Sequence, residues 1–385
     1  MLSPNLPNFP IRELIRRHGT PLLLGSRQRI REQIRRLREE IPKVNWFYAV
    51  KANDDRELLT TIGEEGLGFD VASFEEWQRV REACAMLRAE TSNCSSIPIL
   101  HSQPCKSKVD LRSCYENGIR RYVLDCESEA TKIAELAPES EGLLRMNVPS
   151  ESSAVNLSNR FGAALERVVP LFDYARSINL RLSGLAFHVG SQTTDPNDFE
   201  VAFQLARKLW NKVVAAGYPL QVLDFGGGFP VSYRDQPVLP IREYCQKIRE
   251  SLDRHFGDVE ATILAEPGRV VCAEAVWLVA SIIGKQIRSG QCWYTIDDGR
   301  YGTFSGRYFS ERCFDFHPLE GIQGPTRPSM IVGPTCDGGD IVATDYPLPN
   351  LEVGDFLVVP NVGAYCAVGA TRFNGMPKAK SVWMD

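Results

Sequence analysis

The stretch Trp46-Phe47-Tyr48-Ala49-Val50-Lys51-Ala52-Asn53 reads as a buried strand that stops on a lysine, with Asp54-Asp55 just beyond. A short, continuous apolar run bounded by polar residues is the signature of a strand covered on both faces. Burying an ammonium group costs several kcal/mol unless it is paired. Lys51 therefore either reaches solvent at the strand's exit or serves as an amine poised for Schiff-base chemistry. From this stretch alone both readings stay open.

Working outward, the pattern of this strand recurs. Strand-like runs fall at Val44–Val50, Leu67–Val71, Ile97–Leu100, Arg121–Leu124, Leu143–Val148, Leu182–Val189, Leu220–Phe225 and Thr262–Ala265, eight in all. Segments of helical period separate most of them: Phe74–Arg88, Glu127–Leu136, Arg167–Ser177, Phe199–Ala216 and Ile241–Phe256. Strands alternating with helices demand a parallel sheet, and eight units close a (β/α)8 barrel. An open doubly wound sheet fits less well, because no Gly-x-Gly-x-x-Gly follows the first strand. After Arg269 the texture changes to strand runs at Val270–Ile283, Cys292–Ile296, Ser329–Val332, Phe356–Val359 and Lys380–Trp383, joined by Gly/Pro turns. The expected architecture is a barrel over residues 26–272 and an antiparallel β domain over 273–385, which residues 1–25 join.

Composition narrows the function classes. Lys+Arg 44 against Asp+Glu 48 gives a net charge of −4, which supplies no global attraction for nucleic acid or a membrane surface. The Arg-rich stretch Arg27 to Arg38 places Ile30, Ile34, Leu37 and Ile41 at helical spacing and reads as a surface helix. No apolar run approaches the roughly 20 residues that cross a bilayer, and the N-terminus lacks a signal-peptide pattern. The eleven cysteines form no Cys-x-x-Cys pair, which speaks against a disulfide framework or a zinc ribbon and for a reducing, cytoplasmic setting. No metal site is expected.

In a barrel of this type, functional side chains gather at the C-terminal strand ends. Strand one ends on Lys51 and strand two on Gly68-Phe69-Asp70-Val71. Arg145 lies on strand five, and strand six gives His188-Val189-Gly190-Ser191-Gln192. Strand seven runs into Asp224-Phe225-Gly226-Gly227-Gly228-Phe229-Pro230, and strand eight closes with Glu266-Pro267-Gly268-Arg269. Three glycines can be no more than a tight turn, and a strand-terminal histidine is commonly structural. A glycine-rich seventh loop is also a way to hold phosphate on backbone N–H groups, with Arg269 as countercharge and Ser191 as donor. A phosphate site beside a Schiff-base lysine suggests pyridoxal 5′-phosphate, and Glu266 then faces the ring nitrogen.

These motifs match a family. With Ala49-Val50-Lys51-Ala52-Asn53, His188-Val189-Gly190-Ser191, Gly226 to Pro230, Glu266-Pro267-Gly268-Arg269, Gly333-Pro334-Thr335-Cys336-Asp337-Gly338-Gly339-Asp340 and Gly363-Ala364-Tyr365, the chain resembles the group IV, fold-type III decarboxylases. These are the eukaryotic-type ornithine decarboxylases and their lysine, arginine and diaminopimelate relatives, and the resemblance spans nearly the whole chain. It implies a barrel of the alanine racemase-like type and a homodimer with active sites at the subunit interface. It implies that Lys51 carries the cofactor as a Schiff base, His188 stacks on its ring and Glu266 pairs with its nitrogen. Gly228, Ser191, Arg269 and Tyr365 would hold the phosphate, with Gly226 and Gly227 shaping the loop. Asp70 and Glu76 would support the lysine end, and Arg145 the cofactor's other face. Cys336 and Asp337 would act in the neighbouring subunit's site, as proton donor to Cα and as ligand to the substrate's distal amine. The implied reaction is decarboxylation of ornithine, lysine or arginine to a polyamine precursor.

One loop departs from the family. Counting from Asp298-Gly299-Arg300-Tyr301-Gly302, the ornithine enzymes' Tyr-Asp pair corresponds to Phe309 and Ser310 here, with Glu311 one residue later and Arg307 and Arg312 flanking. A one-residue loop shift would leave ornithine-type specificity unchanged. A different distal group, as in an acylated or carboxylated diamino acid, is the alternative. A same-fold racemase would need a tyrosine base where the chain has Cys336. A non-enzymatic regulator would have lost part of the cofactor set, all of which is present.

Overall fold

Eight parallel strands close into a barrel: β1 Val44–Ala49, β2 Gly68–Val71, β3 Ile99–His101, β4 Arg121–Leu124, β5 Glu141–Arg145, β6 Arg181–Ala186, β7 Val222–Asp224 and β8 Thr262–Ala265. Each pairs with its successor, and β8 returns to β1 through Ile263↔Val44. The computed structural model describes residues 9–85, 97–308, 313–319, 322 and 324–385. Every expected barrel run forms a strand, and the helices Phe74–Ala83, Glu127–Leu136, Val168–Ser177, Asn197–Ala215 and Ile241–Phe256 fall where the helical period lies. Arg56–Glu64 and Lys108–Glu116 add two more.

The strands read as apolar runs because the barrel buries both of their faces. Phe47, Leu100, Val123, Leu143, Ala186, Val222 and Leu264 come from seven strands and form one internal cluster. Burying a large apolar side chain of this kind contributes about 1.5–3 kcal/mol. The Arg27–Glu40 helix buries Ile30, Ile34 and Leu37 and leaves its arginines exposed or half-buried. Among the described residues, no helix is long and apolar enough to cross a membrane.

The chain divides into two units. The barrel unit is Arg31–Pro230 with Val238–Val271, and the second is Met1–Ile30, Val231–Pro237 and Cys272–Asp385. The excursion Val231–Pro237, which leaves the barrel loop for the other unit, has no counterpart in the boundaries expected from sequence. The second unit is built on an eight-stranded sheet. That sheet is mixed rather than purely antiparallel. Leu22–Ser26 runs parallel to Lys380–Met384, and Gln291–Ile296 runs parallel to Arg327–Val332. Only strands far apart in the chain or joined by a long connection can pair this way, and both pairs meet that condition. The run from Val270 also begins differently: Arg269–Cys272 and Ala273–Ala275 turn helically, and the strand starts at Val276. Ile11, Leu14, Leu22, Leu24, Trp277 and Val279 are part of its core.

Candidate active site

Lys51 leaves β1 on a single helical turn, Val50–Ala52. Its Nζ donates to Asp70 Oδ2 at 2.6 Å. Asp70 sits opposite Ala49 in the β1–β2 register, which brings its carboxylate under the lysine. The lysine side chain is 37% exposed and the aspartate only 1%. The amine thus reaches the barrel mouth while its counterion is fixed in the wall.

Arg145 is the last residue of β5, and His188 follows β6 by two positions. Burial draws the His188 imidazole well below its ordinary pKa, and the charges of Arg145 and Lys51 add to the effect. The ring is neutral. Gly190 N–H donates to its Nδ1 at 3.0 Å, which places the ring proton on Nε2. Burial lowers the Arg145 guanidinium as well, against the pull of Glu266, Asp125, Asp224 and Asp70. Burial pushes Glu266 far above the usual carboxylate range, reinforced by the negative charge of Asp224 and Asp70. Asp224 is raised to about 6 by burial, while the Gly226 N–H, at 2.9 Å from Oδ1, pulls it back. Of these two neighbours, Glu266 is the one that keeps the proton at neutral pH.

The glycine loop after β7 leaves no room for side chains. A Cβ on Gly227 would lie 2.6 Å from the Glu266 carbonyl oxygen and 3.2 Å from His188 Nε2. Gly228 has φ +113°, and a Cβ there would meet the Gly190 carbonyl at 2.8 Å. Beside this loop Arg269 donates to Ser191 Oγ at 3.1 Å. The outcome is a basic, hydroxyl- and glycine-lined cradle at the end of β6 to β8, the arrangement that holds a phosphate.

Glu76 lies in the first turn of helix Phe74–Ala83, and its Oε2 accepts the Ala72 N–H at 2.6 Å. Burial raises its carboxyl to about 7, from an ordinary 4.5, against the pull of the Ala72 N–H. The fold therefore binds this proton more tightly than the unfolded chain does. The resulting stabilisation is fully present below pH 4.5 and is lost as pH rises through 7. We expect Glu76→Gln to remove about 2–3 kcal/mol of that pH dependence, measured as urea unfolding of the cofactor-free protein from pH 5 to 8. An unchanged slope would contradict the assignment.

The remaining expected residues belong to the sheet unit. Cys336 is exposed, and its N–H donates to Asn374 Oδ1 at 3.0 Å. Asp337 accepts from Tyr301 Oη at 2.7 Å and from Gly339 N–H at 2.9 Å. These two bonds, the Gly339 one first, hold its carboxyl below the usual range. Tyr301 stacks on Phe373 at 4.4 Å. Tyr365 takes φ +56° in the turn after strand Phe356–Val359. Phe309, Ser310 and Glu311 lie outside the described residues, as does Arg312. The structure thus brings Lys51, Asp70, Glu76, Arg145, His188, Ser191, Gly226–Gly228, Glu266 and Arg269 to one end of the barrel. The structure adds Asp224 beside Glu266 and Tyr301 beside Asp337, two residues to which the sequence assigns no role. A carboxylate closing a barrel strand was the available signal for the first; nothing in the spacing announced the second.

This donor set fits pyridoxal phosphate. It supplies an amine at the mouth, a proton-bearing carboxyl, a neutral imidazole and an anion cradle that a single Cβ would fill. Residues 27–273 match the family model for the pyridoxal-dependent decarboxylase, pyridoxal binding domain. The lysine/ornithine decarboxylase of Selenomonas ruminantium is 34% identical over 382 residues, 99% of this chain and 94% of that one. The solved complex of an SrLDC mutant with PLP superposes with a TM-score of 0.92 at 33% identity, covering 100% of this chain and 97% of the other. The arginine decarboxylase of Paramecium bursaria Chlorella virus gives a TM-score of 0.89 at 27% identity over 97% and 99%. The chain therefore belongs to the pyridoxal-dependent decarboxylase family, as an enzyme that works with pyridoxal 5′-phosphate.

Proposed function

We propose that this decarboxylase acts on a basic amino acid, ornithine first and lysine or arginine next, and releases CO2 and a diamine or related polyamine precursor. The observation that carries this reading is Asp337, an ionised carboxylate fixed by Tyr301 and Gly339 immediately beside the exposed thiol of Cys336. A fixed carboxylate recognises an ammonium group through charge-assisted hydrogen bonds. The matching of Selenomonas and viral relatives named for lysine, ornithine and arginine supports the same substrate class.

Pyridoxal phosphate, when bound, supplies a carbonyl that condenses with amines and a ring that accepts the electrons of the broken Cα–carboxylate bond. The chain's residues do the rest. Lys51 would supply the amine that anchors the cofactor, and Asp70 pairs with its ammonium form whenever that amine is released. Glu266 holds a proton where the ring nitrogen would lie, and His188 presents a neutral imidazole face. Ser191, Arg269 and Gly228 would hold the phosphate, with Tyr365 the further donor that the family resemblance implies, and Arg145 would support the cofactor's other face. Glu76 braces the lysine end. Cys336 returns a proton to Cα of the product, and Asp337 grips the distal amine.

Cys336 and Asp337 serve a neighbouring subunit in this reading, so the enzyme is a homodimer with shared sites. We expect a one-to-one mixture of reassociated Lys51→Ala and Cys336→Ala subunits to regain about a quarter of native activity, since half the random dimers contain one intact site. No recovery would place both residues in one subunit's site. Cys336→Ala alone should slow the cycle or divert it to transamination, and unchanged turnover with clean amine product would remove Cys336 from its role. The described cysteines are free thiols, which supports a cytoplasmic setting. The substrate is tested by CO2 release from ornithine, lysine, arginine, diaminopimelate and acylated or carboxylated diamino acids. Release from a basic amino acid is expected. Release confined to the last classes would overturn the substrate reading and implicate the Phe309-Ser310-Glu311 loop.

A further inference from the structure

Behind the Lys51–Asp70 pair lies a second polar layer that no motif announced. His101 closes β3 opposite Val71, the residue after Asp70. It is fully buried, and its Nε2 stands 3.0 Å from Asp110 Oδ2. Burial lowers the imidazole's pKa, so the ring is neutral and donates Nε2–H to an acceptor-only carboxylate. Burial alone would raise the Asp110 carboxyl. The bonds from His101 and from the Phe74 N–H outweigh it and hold the group below its ordinary value.

The second oxygen of Asp110 explains what the pair is placed to do. Oδ1 accepts the Phe74 N–H at 2.7 Å, and Phe74 is the first residue of helix Phe74–Ala83. First-turn N–H groups of a helix have no intrahelical partner, and a negative group there also suits the helix dipole. Ser73 Oγ caps the same turn by accepting Glu76 N–H at 3.2 Å. Glu76 then folds back onto Ala72 N–H at 2.6 Å, two residues past Asp70. Asp110 itself is held in place by Ser107 Oγ, which accepts its N–H at 3.1 Å.

We propose that His101 and Asp110 are a positioning pair for the lysine site: the imidazole orients Asp110, Asp110 pins the first turn of helix Phe74–Ala83, and that turn sets Glu76 against the strand end carrying Asp70. This rests on the reading of Lys51 as the working amine. A second consequence is electrostatic. The charged groups acting on Glu76 are Asp70 from β2, Lys51 from the turn after β1 and Asp110 from helix Lys108–Glu116. Asp110 and Asp70 disfavour ionisation of Glu76 and Lys51 favours it, so Asp110 helps Glu76 keep its proton near neutrality. Cys114, one turn beyond Asp110, has its Sγ 3.9 Å from Oδ2. Burial pushes that thiol to about 12, so it stays protonated and adds a weak donor to the same oxygen.

A merely structural His–Asp pair would stabilise the fold without touching the protonation of Glu76. The two roles separate in the cofactor-free protein labelled with 13C at glutamate Cδ. Asp110→Asn keeps an acceptor for Phe74 N–H and removes the charge, and the Glu76 midpoint is expected to fall by about half a pH unit. In the holoenzyme, His101→Leu is expected to lower kcat about tenfold with KM little changed, as small displacements near the chemistry do. His101→Gln, which still offers an N–H to Asp110, should restore kcat to within about twofold of native. An unmoved Glu76 midpoint in Asp110→Asn would overturn the proposal, as would equal losses in His101→Gln and His101→Leu. If His101→Leu fails to fold, the titration of Asp110→Asn still decides. The titration contains no cofactor, so it does not depend on whether Lys51 is the anchoring amine, which labelling of Lys51 settles separately.

Discussion

Lys51→Ala is expected to abolish the visible absorbance of lysine-bound cofactor and to lower kcat at least about a thousandfold, a loss of some 4 kcal/mol of transition-state stabilisation. The size follows from the geometry. Lys51 is the amine that rises at the mouth beside Asp70, and no other lysine is among the rim residues described above. Asp70 Oδ2 lies 2.6 Å from its Nζ, so removing the amine also leaves a carboxylate that is 1% exposed without its ion-pair partner. Such a loss is itself destabilising, and the variant should be checked by unfolding as well as by turnover. Lys51→Arg keeps the ion pair and discriminates the roles. It should fold like the native protein and remain inactive, because a guanidinium does not replace the lysine amine in condensing with a carbonyl.

Glu266→Gln should cost about a hundred- to thousandfold in kcat with a smaller change in KM, the pattern of an interaction made chiefly in the transition state. Glu266 is buried, and its surroundings keep it protonated until a basic partner arrives. A ring nitrogen placed there would take that proton and leave a carboxylate paired with it. Glu266 would thereby hold a negative charge opposite that nitrogen and favour its protonated form. Glutamine keeps the shape and one hydrogen bond but cannot carry the charge. Asp224 is the control: Asp224→Asn removes a neighbouring charge that raises Glu266, so it should lower the Glu266 midpoint without abolishing turnover. Equal losses in both variants would show that Glu266 contributes only through packing.

The barrel was legible because closure buries both faces of every strand. Residues 46–49 and 122–124 appear as apolar runs bounded by polar residues, and the rim residues follow from knowing where such strands end. The sheet unit was less legible for the opposite reason. Strand Ile341–Leu348 buries only Val342 and Leu348 and contains Thr344, Asp345 and Pro347, so it offers no continuous apolar run. Its parallel pairs join residues as distant as Leu22 and Lys380, a neighbourhood that spacing does not encode. The glycine-lined cradle was readable because its glycines and Glu-x-x-Arg lie at successive strand ends. The His101–Asp110 layer was not. It depends on a strand end and a helix meeting through side chains, and a nine-residue separation carries no such information. Asp337 was readable as a motif, whereas its restraint by Tyr301, 36 residues away, required the fold.

The central claim is that Lys51 holds pyridoxal phosphate, and reductive trapping tests it most directly. Borohydride treatment of the holoenzyme should bleach the visible band and fix the cofactor's mass on the proteolytic peptide that contains Lys51, with the Lys51→Ala protein unlabelled. Cofactor fixed on another lysine, or a native Lys51 peptide without added mass, would contradict the account.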